Sequence, residues 1–328
     1  MTTVSAQAPA KAILSGEHSI VAGAPAIAVP LPLQTTAEIT YCERGSPTFF
    51  IDLPDLDAQC ALPWDVWAAQ CAQKHALWQQ TQRAVLESPT DLVALTLWQY
   101  HALLPLPEGQ WQVRISGHPW QGRGLGSSAS VVAALLKALN ELVDTPLADD
   151  ALLATAIRSE HYAHGRSSGL DPATILHNTP LWLTRSPTGL EWEPIDLALP
   201  RFWLVDTGPP DASTGECVYA VRQRFPASHS IWEAFAATTE TVRTALERHD
   251  MQQLHEAIQT NHVLLRKIGV VPDRVNALIR KLNRSGAAKV SGAGSVRGVA
   301  AGMVLYFGES PPDKVLLHDF NATALPLG

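Results

Sequence analysis

Residues 122–130 read GRGLGSSAS, and an apolar run, VVAALLKALNELV, follows directly. This junction constrains the chain more than any other stretch. The polar residues Lys137, Asn140, Glu141 and Asp144 recur three or four positions apart, and every other face is Ala, Leu or Val. That pattern predicts a helix with a narrow wet edge, buried around most of its circumference. A helix start leaves backbone N–H groups without partners and carries partial positive charge. Glycines just ahead of it permit positive φ and let a ligand approach the backbone closely. Together they form a nest of N–H groups suited to phosphate oxygens. Taken alone, the stretch also reads as a glycine-rich turn with a serine N-cap. It is not a P-loop, because no lysine follows its last glycine.

A chain of 328 residues suits two domains sharing a cleft. Hydrophobic residues at 46 % and charged residues at 17 % permit sizeable cores. A formal net charge of −7 argues against nucleic acid as the main partner, since phosphate backbones attract basic surfaces. A small anionic ligand needs only a local positive site. Cys42, Cys60, Cys71 and Cys217 form no CxxC pair and lie at no zinc-finger spacing from histidine, which predicts reduced thiols. The first residues, MTTVSAQAPAKAIL, lack a basic segment followed by an apolar one, and no uncharged apolar stretch reaches the roughly 18 residues of a membrane helix. The expectation is a soluble cytoplasmic protein without a membrane partner.

Along the chain, residues 11–40 predict strands and turns, with small and β-branched residues punctuated by glycine and proline. Two helices follow. The first aligns Trp64, Trp67, Cys71, Trp78 and Val85 on one face, which reads as core or as an interface. ESPTD (87–91) breaks it, and Pro105 and Pro107 end the second. QWQVRIS (110–116) alternates as a strand, a helix covers about 149–163, and PLWLTRS with LEWEPIDL predicts a hairpin turning at PTG. RFWLVDTG (201–208) is a strand into a second domain, with helices near 228–248, 250–266 and 272–285 and closing strands in AAKVSGAG and AAGMVLYF.

Three further segments accompany the glycine-serine stretch: APAKAILSGEHSIVAGAPAIA near the start, HGRSSGLDPA at 164–173 and AAKVSGAGSVRG at 287–298. This ordered set resembles the GHMP kinase superfamily, and within it the mevalonate kinases, over residues 9–302. VDTGPPDASTGECV and NHVLLRKIGVVP add to the likeness. The resemblance implies an α+β, two-domain GHMP kinase fold. Its N-terminal domain, 1–197, would be like domain 2 of ribosomal protein S5, and its C-terminal domain, 198–328, ferredoxin-like. It implies ATP and Mg²⁺ as cofactors, mevalonate as the small-molecule acceptor, and, by family analogy alone, a homodimer.

Phosphoryl transfer to a hydroxyl needs a cradle for the triphosphate, a metal bridging its oxygens, a base for the alcohol proton and a cation to offset developing charge. The resemblance assigns the cradle to Gly122, Gly124, Leu125, Gly126, Ser127 and Ser128, with Gly292, Ala293 and Gly294 of the third motif approaching the nucleotide. It makes the Ser128 hydroxyl and the Glu160 carboxylate the metal ligands. Asp171 becomes the catalytic base, with Lys11 beside it and the γ-phosphate. Glu17 and His18 of GEH, and Thr214, would hold or order the acceptor. Each has a plainer reading: Lys11 a solvated lysine at a strand start, Glu160 an exposed helix carboxylate, Asp171 a turn aspartate before Pro172, His18 a structural histidine and Thr214 a helix cap.

The chain departs from the family pattern at three places. Ser295, Val296 and Arg297 replace part of a glycine run, and Arg297 would add charge near the phosphates. Ser167 stands where many relatives have Pro, and Ser130 where Ala is common. No Lys/Arg cluster flanks GEH, which disfavours a phosphorylated acceptor, and Ser19 and Ile20 follow it where galactokinases carry an Asp. Phosphomevalonate kinase, a sugar kinase or a non-catalytic sensor on the same fold are the competing readings.

Overall fold

A computed structural model describes residues 1–117, 122–187 and 189–327. In chain order the elements are β1 (Thr2–Ser15), β2 (Ala26–Cys42), β3 (Thr48–Leu53), β4 (Ala58–Pro63), α1 (Trp64–Thr81), α2 (Pro89–His101), β5 (Gln110–Ser116), α3 (Ser127–Leu142), α4 (Asp149–His164) and α5 (Leu170–His177). There follow β6 (Leu181–Ser186), β7 (Gly189–Pro194), β8 (Phe202–Asp206), α6 (Thr214–Arg224), α7 (Ile231–Glu247), α8 (Met251–Ile268), α9 (Asp273–Leu282), β9 (Gly286–Val290), β10 (Met303–Gly308), α10 (Lys314–Asp319) and β11 (Thr323–Leu327).

The chain forms two compact units, each discontinuous in sequence. The first is Met1–Ala10, Leu33–Pro119 and Ser127–Asn178; the second is Lys11–Pro32, Trp120–Gly126 and Thr179–Gly328. This is a different partition from a single cut near residue 197, because β1 and β2 each contribute residues to both units.

In the first unit the strands run β4-β3-β5-β2, with β3 parallel to β5 and the other pairs antiparallel. Phe49, Trp67, Trp111, Leu135 and Leu139 belong to its core. Helix α3 contacts α2, α4 and α5, which is why nearly all its faces are apolar, while Lys137 and Asn140 are half-buried and Glu141 is exposed. The tryptophan face of α1 is core: Trp67 and Cys71 are buried, and Trp64 and Trp78 pack against the same cluster. The helix is shorter than its apolar spacing predicts. It ends at Thr81, with Gln82 in the left-handed region, and Val85 reaches the core from beyond the helix. ESPTD does more than interrupt: Ser88 caps α2 in a reciprocal capping box with Asp91.

In the second unit, an antiparallel sheet β11-β8-β10-β9 carries α8 and α9 on β9, around a core of Val205, Phe235, Leu265, Ile279, Val290 and Val304. The residue-26 end of β2 pairs with β6, and β6 with β7, as the predicted hairpin; its turn includes Thr188, outside the described residues. Strands β3, β4 and β11 and the helices α5 and α10 are additions to the sequence expectation. All four cysteines are free thiols. Among the described residues no helix is long and apolar enough to cross a membrane.

Candidate functional site

The second unit gathers Lys11, the glycine loop, GEH and the third motif. Residues 8–15 of β1 are buried on both faces, so Lys11 lies in a strand interior and is only 2 % exposed. It is not a solvated lysine at a strand start. Its backbone N–H donates to Leu125 O at 2.9 Å and its Nζ to Gly124 O at 3.1 Å, fixing the loop from below. Gly124 has φ +84°, and a Cβ there would stand 2.9 Å from Ser291 O. Gly292, at φ +90°, would push a Cβ to 3.1 Å from Gly124 Cα. The first and third glycine motifs therefore touch backbone to backbone, which no residue with a side chain allows. Gly122, Leu125 and Gly126 complete the loop, with Leu125 fully buried. Ala293 O accepts a hydrogen bond from His18 Nε2 at 3.0 Å, and Gly294 abuts Val270.

His18 is buried, and so is the side chain of Glu17. The Glu17 carboxylate is ion-paired with Lys289, a residue the sequence reading passed over. Burial pushes the Glu17 carboxyl up and the Lys289 ammonium down, each opposed by the charge of the other. Burial also lowers His18 to about 4, so its imidazole is neutral near pH 7. Because Ala293 O only accepts, the proton of that neutral ring lies on Nε2. His18 also lines a cavity of about 310 Å³ with Val21, Val218, Phe225, Trp232 and Arg222. Thr214 is the exposed first residue of α6; the cap is Ser213, whose Oγ accepts from Glu216 N. Arg297 donates to both carboxylate oxygens of Glu216, at 3.1 and 3.3 Å, so its charge is offset where it stands.

The first unit brings Ser128 and Glu160 together. Ser128 Oγ, in the first turn of α3, donates to Glu160 Oε2 at 3.0 Å. Glu160 is 2 % exposed, and its buried Oε1 has no hydrogen-bond partner among the described residues. An exposed helix carboxylate is therefore excluded. An unpaired buried carboxylate oxygen costs on the order of 1–3 kcal/mol or more, so the arrangement is unsatisfied as it stands. Ser127 Oγ is likewise buried without a partner among the described residues. Hard oxygens held 3.0 Å apart at a helix N-terminus fit a divalent cation that also meets phosphate. His164, one turn after Glu160, comes within 3.2 Å of Ser128 Oγ through Nε2. Its spacing of four from Glu160 was the signal available in sequence.

Asp171 lies in the first turn of α5, half-buried, rather than in a free turn. The loop before it is clamped. Trp78 Nε1 donates to Gly165 O at 2.7 Å, and the Trp78 ring stacks on His161 at 5.3 Å. Ser167 N–H donates to His161 Nδ1 at 2.8 Å, and Ser167 Oγ accepts from Gly169 N. A proline at 167 could give neither contact, so this departure from the family pattern has its own compensation. Ser130 is similarly used: its buried hydroxyl donates to Pro9 O at 2.7 Å.

Residues 92–179 match the family model described as GHMP kinases N terminal domain, and residues 242–297 match GHMP kinases C terminal. The chain is 27 % identical over 308 residues to a mevalonate kinase of Pyrococcus abyssi, covering 89 % of this chain and 86 % of the relative. It is 28 % identical over 321 residues to a mevalonate kinase of Archaeoglobus fulgidus, covering 95 % and 96 %. The solved Methanococcus jannaschii mevalonate kinase superposes with a TM-score of 0.79 at 21 % identity, over 99 % of this chain and 98 % of that one.

Proposed function

We propose that this chain, which matches the N- and C-terminal GHMP kinase models, is a GHMP kinase that transfers the γ-phosphoryl group of ATP to the C5 hydroxyl of mevalonate, giving 5-phosphomevalonate and ADP. The name shared by its curated relatives, mevalonate kinase, supports the acceptor. The observation that carries the reading is the buried Glu160 carboxylate, with one oxygen on the Ser128 hydroxyl and the other unpartnered, at the start of α3.

In this reading the backbone N–H groups of Gly122, Gly124, Leu125, Gly126 and Ser127 cradle the triphosphate, and Gly292, Ala293 and Gly294 close on the nucleotide. Ser128 and Glu160 hold Mg²⁺, which when bound supplies positive charge to the phosphate oxygens. The Asp171 carboxylate takes the proton of the C5 hydroxyl as the oxygen attacks. The Lys11 ammonium offsets the charge that develops on the transferring group. His18 contacts the acceptor from the wall of its cavity, and Thr214 orders the approach. With its carboxylate occupied by Lys289, Glu17 acts by holding the loop that carries His18. The acceptor assignment needs no nucleic acid or membrane partner; a homodimer stays a proposal by analogy.

A coupled ADP-release assay with mevalonate, phosphomevalonate, galactose and homoserine tests the reading. Turnover is expected with mevalonate, and Asp171→Asn should reduce kcat by at least about 10³-fold while nucleotide binding survives. ATP binding without ADP release for any of the four would point to a sensor instead. A variant that keeps a few per cent of turnover would remove Asp171 as the base.

A further inference from the structure

We propose that His164 is a third ligand of the divalent cation, so that Ser128 Oγ, Glu160 Oε2 and His164 Nε2 form one face of its coordination octahedron. The proposal rests on the reading that Ser128 and Glu160 hold the metal. Its consequence is a site with a stronger bias toward Mn²⁺ over Mg²⁺ than two oxygens alone would give.

The three donor atoms form a compact triangle. Ser128 Oγ and Glu160 Oε2 are 3.0 Å apart, Ser128 Oγ and His164 Nε2 3.2 Å, and Glu160 Oε2 and His164 Nε2 3.4 Å. Ligands about 2.1 Å from an octahedral ion and at right angles to one another stand roughly 3.0 Å apart, so all three sides suit adjacent positions around one ion. Glu160 and His164 are one turn apart on α4, a spacing that sets two side chains on the same face. The serine comes from a different helix, α3, which makes the cluster a product of packing rather than of one segment.

Burial argues the same way. The Glu160 side chain is 2 % exposed and His164 30 %, so the ion would sit inside the shell of the protein with a free side toward solvent or ligand. Glu160 Oε1 is buried with no hydrogen-bond partner among the described residues, a lone-pair donor that an ion would satisfy. Among the described residues no three His, Cys, Asp or Glu side chains converge on a metal position; here the third donor is a hydroxyl. Magnesium takes oxygen ligands almost exclusively, whereas imidazole nitrogen suits first-row transition ions. A Ser/Glu/His face is therefore a mixed site, usable by Mg²⁺ and better matched to Mn²⁺. The rival account is that His164 Nε2 only shares a hydrogen bond with Ser128 Oγ and never meets the ion.

The test is Mn²⁺ alone, titrated into the full chain and followed by the electron paramagnetic resonance of the free ion, with pulsed measurements for ¹⁴N coupling. Wild type should show imidazole nitrogen coupled to bound Mn²⁺. His164→Gln should lose that coupling and weaken Mn²⁺ binding about tenfold, with Mg²⁺ binding, measured by competition, changing less than about threefold. Circular dichroism and thermal unfolding establish that the variant folds, and His164→Asn replaces it otherwise. Bound Mn²⁺ without nitrogen coupling, an unchanged Mn²⁺ affinity in the variant, or no Mn²⁺ binding would each overturn the proposal. ADP release is scored separately. Nitrogen coupling without turnover on mevalonate would keep His164 as a ligand and sink the acceptor assignment; turnover without coupling would do the reverse.

Discussion

Lys289 on β9 and Glu17 beyond the end of β1 form an ion pair that is closed to solvent, with side chains 0 % and 1 % exposed. The Lys289 Nζ also donates to Ile13 O at 3.1 Å, and Ser291 Oγ accepts from Ile13 N at 3.0 Å. Lys289 of β9 and Ser291 just beyond its end thus grip the strand that carries Lys11, two positions before Ile13. On the far side, Ser15 Oγ receives a hydrogen bond from Asn261 Nδ2 at 2.8 Å and lies 2.7 Å from Thr239 Oγ1.

Breaking one half of such a pair leaves a charge buried without compensation. Lys289→Met is expected to destabilise the fold by about 3–5 kcal/mol, read from chemical denaturation. Adding Glu17→Gln should recover part of that loss, because the stranded carboxylate is gone. A double variant no more stable than the single one would mean that the two groups are not coupled.

Acid should weaken the protein through its buried histidines. Burial holds His18 and His262 at about 4, while an unfolded histidine titrates near 6.5. Between those values the unfolded chain binds more protons, so the stabilisation is present above about pH 6.5 and is lost as pH falls toward 4. Each imidazole contributes up to about 1.4 kcal/mol per pH unit in that window. Glu17, pushed up by burial, works in the opposite sense over its own range. The drop in denaturation midpoint from pH 7.5 to 5.0 should therefore shrink in His262→Gln, with the share of His18 remaining and Glu17 unchanged. An undiminished drop in that variant would show that His262 is protonated in the fold.

The backbone contact between the glycine motifs predicts that Gly124 tolerates no side chain. At φ +84°, with Ser291 O 2.9 Å from the position of a Cβ, Gly124→Ala must displace the loop that Lys11 Nζ holds through Gly124 O. We expect KM for ATP to rise at least about tenfold and kcat to fall with it, corresponding to at least about 1.4 kcal/mol. Kinetics indistinguishable from wild type would remove this loop from nucleotide binding.

Much of the local architecture was legible from residue order. Helix α3 announced itself through the spacing of Lys137, Asn140 and Glu141, and α4, β5 and the β6–β7 hairpin followed from periodicity and turn residues. The motifs that carry the family likeness lie in short contiguous stretches, so Lys11, Ser128, Glu160 and Asp171 could be named from spacing and resemblance. Strand β4 escaped because it alternates only between half-buried and exposed positions and so presents no apolar face, and β3, its antiparallel partner, escaped with it.

By itself the sequence determined where the glycines, the helix starts and the candidate charged side chains would fall, because φ preferences, capping and apolar periodicity act over a few residues. Tertiary structure alone decided that Glu17 meets Lys289, 272 positions away, that Ser128 finds both Glu160 and His164, and that Trp78 and His161 brace the loop before Asp171. Those pairings depend on which surfaces pack and which polar atoms lose water when they do. Burial is a property of the assembled core, and no local spacing encodes it.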